Sequence, residues 1–461
     1  MVLMHLIRNE HMILNRIFSF AVTLFAAAQL AAQSPPPRTL VKAGRLLDPR
    51  TGNVLSPSAV LIENGKIKEV GAPSKIQTPP GAKIIDLGNA TLLPGLIDGH
   101  THLFLDIVVP PEVEQHRHSN GLFAPGMLLA IVESPSKRAL IGAQSAREDL
   151  ESGFTTVRNL GHSGIDGDTE LRDAINRGNV PGPRLLASGR KLITRGSYVQ
   201  NLNPALADAI VQQEFLFIDG ADQAREAVRR NAFQGVDVIK VTADENLTVP
   251  ELSAVTDEAH REHLKVAVHA PDKVSIQTAI DSHADSIEHG NDVTDEQLKQ
   301  MRDKGMFIGL TPTFYDHFYS KIAEPNIVIS PASSAEAASR YPANKQRYDE
   351  LVARVLKSGA KFAAGSDMCW YYSGKTRGEA SVNAVIKLRD AGMPPLDVIR
   401  SITSNAAEML GWADRIGTIE PGKFADLVAV AGDPVADIHE LERIQFVMKN
   451  GQVIRNGLTQ P

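Results

Sequence analysis

The 461-residue chain has only one cysteine, Cys369, so it cannot form an internal disulfide bond and its fold depends on packing. It also has no long run of lysine and arginine, and its formal net charge is -6. Such a chain lacks the basic surface that nucleic acid or an anionic membrane attracts, so we expect neither as a partner of the mature protein. Hydrophobic residues at 43% and charged residues at 22% are typical of a globular protein.

The sequence also lacks an apolar run long enough to span a membrane comfortably. The longest run near the N-terminus, Ile17–Ala28, follows Arg16 and is succeeded by the small residues Ala31 and Ala32. This pattern predicts a signal peptide over residues 1–33, and hence an exported protein that is periplasmic or secreted. An uncleaved membrane anchor is the alternative, and Met12 is an alternative start.

Both ends of the mature chain, residues 34–93 and 412–461, have the texture of short strands. Asn64-Gly65 separates two strand candidates in the first segment, and Asn450-Gly451 lies at a similar turn in the second. Asn-Gly between alternating apolar residues is a strong hairpin signal. We therefore predict one small β-sandwich domain built from both termini.

The middle of the chain, residues 94–411, alternates strand and helix patterns. The strand candidates are 91–97, Phe154–Val157, Arg184–Ala187, Val236–Val241, Lys265–Val268, Ser286–Glu288, Phe307–Leu310 and Lys361–Ala364. Glycines stand where several helices should end in a left-handed cap: Gly178, Gly235, Gly305 and Gly359. No glycine-rich phosphate loop follows a strand, which disfavours a doubly wound sheet. The pattern predicts an α/β fold, a (β/α)₈ TIM barrel.

Titratable side chains stand at the predicted carboxyl ends of the strands, where barrel enzymes place their active sites. His100 and His102 are two residues apart, so both side chains can point into the barrel mouth. Lys240 lies inside an apolar strand, and three further residues end the fifth, sixth and eighth strands: His269, His289 and Asp367. Any one of them alone is more often a hydrogen-bonded core residue or a snorkelling lysine. Together they form a set of ligands suited to divalent ions.

Six stretches of the chain resemble the amidohydrolase superfamily, close to its imidazolonepropionase-like and prolidase-like (Xaa-Pro dipeptidase) branch. They are Pro94–His102 (PGLIDGHTH), Gly153–Asn159 (GFTTVRN), Ile239–Val241 (IKV), Ser286–Gly290 (SIEHG), Ala364–Asp367 (AGSD) and Gly417–Leu427 (GTIEPGKFADL). The resemblance implies two divalent ions, usually zinc, bridged by Lys240 after its carboxylation by CO₂. It also implies that His100, His102 and Asp367 hold the first ion, and that His269 and His289 hold the second.

The chemistry of such a centre assigns further roles. A hydroxide bridging two ions would attack the substrate carbonyl, with Asp367 taking the proton of the water and passing it to the leaving nitrogen. His162 follows the second strand and could donate a hydrogen bond to the carbonyl oxygen. Three loop residues are candidates for substrate binding: Tyr315, Arg195 and Tyr198.

The leading functional hypothesis is hydrolysis of the C–N bond of a small substrate, such as an N-acyl amino acid or a dipeptide with C-terminal proline. Cleavage of an ester, lactone or cyclic amide remains open because the same hydroxide would serve. A non-catalytic metal- or ligand-binding barrel also remains open, since a fold does not fix a function. The expected partner is a small molecule, and a homo-oligomer is possible.

Overall fold

The strands and helices alternate through the middle of the chain and give way to strands at both ends. The computed structural model describes residues 38–106, 129, 132–197, 199, 202–312, 331–369 and 374–458, with the backbone alone for 331–341. Within these residues the strands are β1 (Arg38–Ala43), β2 (Arg45–Leu47), β3 (Val54–Leu55), β4 (Ser58–Glu63), β5 (Lys66–Gly71), β6 (Lys83–Asp86), β7 (Thr91–Pro94), β8 (Leu96–Thr101), β9 (Phe154–Asn159), β10 (Arg184–Leu186), β11 (Lys191–Ile193), β12 (Phe215–Phe217), β13 (Val238–Thr242), β14 (Lys265–Ala270), β15 (Ser286–His289), β16 (Phe307–Leu310), β17 (Lys361–Ala364), β18 (Leu427–Val430), β19 (Phe446–Lys449) and β20 (Gln452–Asn456). The α-helices are Pro135–Glu151, Gly167–Asn176, Pro204–Glu214, Ala221–Phe233, Val249–Arg261, Lys273–Asp281, Asp295–Lys304, Pro331–Ser358, Arg377–Ile386, Pro395–Ser401 and Ser404–Met409.

Two sheets at one end of the molecule combine the N-terminal and C-terminal strands. One sheet has the order β5-β4-β1-β6, and the other has the order β20-β19-β18-β7-β2-β3. Their apolar faces share one core, which includes Val41, Ile62 and Leu92 from the N-terminal segment and Leu427 and Phe446 from the C-terminal segment. The predicted sandwich domain from both termini is therefore confirmed.

Two hairpins in these sheets follow the Asn-Gly signals of the sequence. Asn64 and Gly65 have φ values of 53° and 74° at the turn between β4 and β5. Asn450 and Gly451 have φ values of 52° and 73° at the turn between β19 and β20. Positive φ at both central residues is the geometry that matches the twist of the flanking strands, and asparagine and glycine adopt it at low cost.

The barrel is closed by backbone hydrogen bonds between a three-stranded sheet, β10-β9-β8, and a seven-stranded sheet, β12-β11-β13-β14-β15-β16-β17. At one seam, the Asp237 nitrogen donates to the Ala187 oxygen over 2.8 Å. At the other, the Asp367 nitrogen donates to the His100 oxygen over 2.7 Å. A Cβ at Gly365 would stand 2.3 Å from the His100 nitrogen, so only glycine permits this close approach. The predicted (β/α)₈ barrel is confirmed.

The four glycines predicted as left-handed helix caps all have positive φ: Gly178, Gly235, Gly305 and Gly359, at 76°, 76°, 70° and 71°. Each one ends a helix shortly before the chain turns back into the barrel. None of the helices in the described part of the chain is long and apolar enough to cross a membrane. The predicted signal peptide, residues 1–33, lies outside the described residues and stays a prediction.

A buried carboxyl group between two outer helices makes the stability of the fold depend on pH. Asp149 is fully buried, and one of its oxygens accepts a hydrogen bond from Ser381 over 3.2 Å. The other oxygen has no hydrogen-bond partner among the described residues. Burial raises the pKa of Asp149 to about 7. The folded state therefore binds this proton more tightly than the unfolded state, whose carboxyl has a pKa of about 3.9.

We expect the contribution of Asp149 to stability to be fully present below about pH 4 and to be lost as pH rises through 7, by at most about 4 kcal/mol. Asp149→Asn removes the buried charge, so its thermal midpoint should exceed that of the wild type at pH 8 but not at pH 4. Paired thermal scans at both pH values measure this difference. The exposed Asp257→Asn variant is the control. A midpoint difference between Asp149→Asn and wild type that is the same at both pH values would contradict the account.

Candidate active site

The six predicted ligand residues converge at the carboxyl ends of the barrel strands. His100 lies in β8, His102 lies just beyond it, and Lys240 lies in β13. His269 is near the end of β14, His289 is the last residue of β15, and Asp367 follows β17. Lys240 and His100 are each 1% exposed. A lysine that merely snorkels from a strand edge would reach water, so the burial of Lys240 argues against that simpler interpretation.

Asp367 is the centre of this cluster. Its Oδ1 lies 3.4 Å from His100 Nε2 and 3.2 Å from His102 Nε2, and its Oδ2 lies 3.9 Å from His289 Nδ1. One ligand atom from each of His100, His289 and Asp367 can be chosen so that all three lie within 4.8 Å of one another. The His269 ring stands 4.6 Å from the His289 ring, centroid to centroid.

Neighbouring acceptors fix the protons of two imidazoles. His102 Nδ1 donates to the Gly161 carbonyl over 3.2 Å, because a carbonyl can only accept. His100 Nδ1 donates to the Glu288 carboxylate over 2.9 Å for the same reason. In a neutral imidazole this leaves Nε2 unprotonated, so two nitrogen lone pairs face the Asp367 carboxylate.

All four histidines of the cluster are held neutral. Burial lowers the pKa of His102 to about 4, assisted by Lys191, and burial lowers the pKa of His289 to about 4 as well. Burial also places the pKa values of His100 and His269 well below the ordinary range. Burial alone would raise the pKa of Asp367, but a proton that enters the cluster is held by an adjoining histidine, so the pKa of Asp367 lies well below its usual value. The cluster therefore presents neutral nitrogens and an anionic carboxylate, which are the forms that bind metal.

Lys240 is buried next to this cluster with an unpaired amine. Its Nζ has no hydrogen-bond partner within the part of the chain that the structure describes. Burial lowers its pKa to about 8. A buried amine without a partner costs free energy, and a group bound at this place would compensate that cost.

Two residues that the sequence pattern does not predict, Asp98 and Arg377, support the ligand-bearing ends of β8 and β17. Asp98 accepts from the His100 nitrogen over 3.1 Å and from the Ser366 nitrogen over 2.9 Å. Arg377 donates to the carbonyls of His102 and Met368, and it reaches Thr101 Oγ1 over 3.1 Å. These contacts tie the histidine pair to the segment that carries Asp367.

Glu288 and Arg158 form the floor below His100. Arg158 Nη2 lies 2.8 Å from Glu288 Oε1, and Arg158 Nε donates to the Gly99 carbonyl over 2.6 Å. Both side chains are at most 2% exposed. Because the guanidinium neutralises the carboxylate, Glu288 can accept the hydrogen bond from His100 without leaving an uncompensated charge in the core.

His162, predicted as a catalytic residue, lies beside the cluster with its ring 5.2 Å from that of His102. Its Nε2 lies 2.7 Å from Lys191 Nζ, and its Nδ1 lies 3.7 Å from Glu214 Oε2. Burial lowers the pKa of His162 to about 3 and that of Lys191 to about 7. Lys191 and Glu214 are both buried, and no pattern in the sequence predicts either as a site residue.

The predicted substrate-binding residues fare differently. The side chain of Arg195 is 68% exposed and forms an ion pair with Asp219, Nε to Oδ2, at 2.8 Å. Its guanidinium also stacks on the Phe217 ring at 4.4 Å, so the structure does not bring it into the cluster. Tyr198 and Tyr315 lie outside the described residues, and their roles stay predictions.

A parallel barrel with imidazoles, a carboxylate and a buried lysine at the carboxyl ends of its strands is typical of barrel hydrolases. Comparison with known sequences makes this specific. The chain belongs to the amidohydrolase family, whose sequence profile matches residues 91–454. It is therefore a hydrolase that acts on carbon–nitrogen bonds.

Individual relatives cover nearly the whole chain. The ochratoxinase of Aspergillus niger is 26% identical over 454 residues, which cover 90% of this chain and 86% of that protein. The imidazolonepropionase of Fusobacterium nucleatum subsp. nucleatum is 24% identical over 423 residues, 86% of this chain and 91% of that protein. A Xaa-Pro dipeptidase solved with methionine bound in its active site is 27% identical, with a TM-score of 0.75 over 91% of this chain and all of that one.

Proposed function

We propose that the protein is a metal-dependent amidohydrolase that cleaves the amide bond of a small substrate, such as an N-acyl amino acid or a Xaa-Pro dipeptide. The observation that carries this proposal is the convergence of six ligand-type side chains around one point, with the unpaired amine of Lys240 among them. The similarity to a Xaa-Pro dipeptidase with an amino acid in its active site supports substrates built on amino acids.

The residues present fit divalent ions. The unprotonated Nε2 atoms of His100 and His102 face the Asp367 carboxylate at 3.4 and 3.2 Å. These nitrogens and the carboxylate oxygen are all hydrogen-bond acceptors, so their lone pairs repel one another. A cation between them removes this repulsion. We propose that these three residues hold one ion, and that His269 and His289 hold a second, with carboxylated Lys240 as the bridge. Ions held there would supply Lewis-acid chemistry, which activates a water and polarises the carbonyl.

The chain itself supplies proton transfer and orientation. Asp367 is ionised and stands between the histidines, so it can accept the proton of the attacking water and deliver it to the departing nitrogen. His100 and His102 keep a single orientation because Glu288 and Gly161 hold their outer nitrogens. Such fixed geometry contributes to the rate because the reacting groups need no further ordering.

A substrate screen on the zinc-loaded protein tests the proposal. It should include N-acyl amino acids, Xaa-Pro dipeptides, esters, lactones and cyclic amides, with turnover followed by product detection. We expect amide cleavage that is abolished by a chelator and restored by zinc. Turnover of lactones alone would favour the alternative hydrolase, and binding of ligands without any turnover would favour a non-catalytic barrel.

Arg377 offers a separate test of the metal centre. Its guanidinium bridges the carbonyls of His102 and Met368, on either side of the site. Arg377→Lys keeps the charge but loses the planar fork that makes these contacts at once. We expect a loss in zinc affinity of about 10- to 100-fold, typical of residues that orient ligands. Competition with a chelating dye measures this affinity. Arg302→Lys, on the surface, is the control, and an unchanged affinity in Arg377→Lys would contradict the role.

A further inference from the structure

Lys191 reaches the site from a strand that follows the third barrel strand. β11 pairs in parallel with β13 through Leu192 and Val241, so Lys191 lies beside Lys240, one residue earlier on each strand. Residues side by side on paired strands point to the same face of a sheet. The side chain of Lys191 therefore faces the cluster, and the residue is only 3% exposed.

The stem of Lys191 packs against the turn that orients His102. A Cβ at Gly161 would stand 2.5 Å from Lys191 Cγ and 2.6 Å from its Cε, so the methylene groups lie directly on this glycine. The carbonyl of the same glycine accepts the hydrogen bond from His102 Nδ1. The position of the Lys191 amine is thereby fixed relative to a proposed metal ligand.

A buried network of polar side chains holds the Lys191 amine on the side away from Gly161. Arg138 forms an ion pair with Glu214 and donates to the His162 carbonyl. A lysine ammonium can only donate, so Nε2 of His162 accepts from Lys191 at 2.7 Å and the imidazole proton lies on Nδ1, which faces Glu214 Oε2 at 3.7 Å. Burial would raise the pKa of Glu214, but His162 and Arg138 lower it to about 2.

Fold stability alone does not explain the network of Arg138, Glu214, His162 and Lys191, because burying charged groups costs free energy. Arg138, Glu214 and His162 are each at most 5% exposed, and buried ion pairs seldom stabilise a fold more than apolar residues would. What this network achieves is an amine held at a fixed position beside the cluster. Both nitrogens of His162 face protein groups, Lys191 and Glu214, so His162 acts on the site through Lys191.

We propose that Lys191 binds the carboxylate of the substrate, and that Glu214 and His162 are positioning residues that hold its ammonium group. The inference rests on the proposed function, because N-acyl amino acids and dipeptides carry a carboxylate next to the amide that is cleaved. Arg195, the other cation considered for this role, is exposed and paired with Asp219. An ammonium opposite a carboxylate in a buried site gives a strong, charge-assisted hydrogen bond.

The test compares each cleaved N-acyl amino acid with its neutral carboxamide on the zinc-loaded enzyme. Wild type should favour the carboxylate in kcat/KM by about 10- to 100-fold, the effect of one charge-assisted hydrogen bond. Lys191→Met should lose this preference, mainly through a higher KM for the carboxylate, and Lys191→Arg should recover part of it. Glu214→Gln should weaken the preference by raising KM for the carboxylate more than for the carboxamide. Lys265→Met, at the opposite end of the barrel, is the matched control.

Two kinetic results would overturn the inference. In one, Lys191→Met lowers kcat/KM equally for the charged and the neutral substrate. In the other, Arg195→Met removes the preference while Lys191→Met keeps it. If wild type cleaves no amide, calorimetry with N-acetyl-L-methionine and N-acetyl-L-methioninamide separates the two proposals. Selective binding of the acid that Lys191→Met abolishes supports the role of Lys191 even then, and absence of such selectivity in wild type refutes it.

Discussion

Replacing Asp367 with asparagine should reduce kcat by about 10²- to 10⁴-fold or more, the usual contribution of a general acid–base group. Asparagine keeps an oxygen where Asp367 Oδ1 approaches His100 and His102, but its amide cannot accept the proton of a water at neutral pH. We therefore expect metal to remain bound while turnover is nearly lost. Steady-state kinetics and metal analysis of the same preparation measure the two effects separately.

The control for this variant is Asp257→Asn, which removes one exposed carboxylate far from the strand ends. It should match the wild type in kcat and in metal content. Retained turnover in Asp367→Asn would remove Asp367 from the proton transfer. Loss of metal together with turnover would show that the carboxylate serves first as a ligand, and the acid–base role would then need another group.

The sequence carries enough information to predict the ligands that follow from strand alternation. His100 and His102 are two residues apart at a strand end, so they share a face, and Lys240 is flanked by apolar residues on both sides in its strand. Alternating strand and helix patterns place such residues at one end of a closed barrel. These rules depend only on neighbouring residues, and they apply to each strand in turn because every barrel unit has the same strand–helix connection.

Alternation does not explain why Glu288 and His289, which are adjacent, both contribute to the centre. Neighbours in a strand point to opposite faces. His289 has a φ of 72°, and Asp367 has a φ of 48°, so the left-handed backbone ends the alternation at both residues. A non-glycine residue held in this region stores strain that the surrounding contacts must maintain. No pattern in the sequence predicts a positive φ at these two residues.

Lys191 was missed for a different reason. The predicted third strand ended at Ala187, yet the chain returns to the sheet at Lys191 after a short break and pairs there with β13. The partners that hold its amine come from distant segments, since Arg138 and Glu214 are 76 residues apart. Contacts across such separations depend on how the helices pack outside the barrel, which periodicity does not encode.

Replacing Lys240 with alanine should remove the proposed bridge and with it the second ion. Lewis-acid stabilisation is worth several kcal/mol, so kcat should fall by about 10³-fold or more. Metal analysis should find close to one equivalent instead of two. Acetate or propionate at millimolar concentration should restore part of the second equivalent, because a short carboxylate fits the space that the lysine vacates and supplies the oxygens of the lost carbamate.

The Lys240 prediction separates a bridging role from a merely structural one. Lys265→Ala removes another strand lysine, at the amino end of β14, and should change neither the metal content nor the response to acetate. Wild type supplied with ¹³C-bicarbonate should show one labelled carbamate that Lys240→Ala lacks. Two tightly held ions in Lys240→Ala without added acid would refute the bridge. The unpaired Nζ would then need another explanation, since a buried amine at this position is too costly to persist without one.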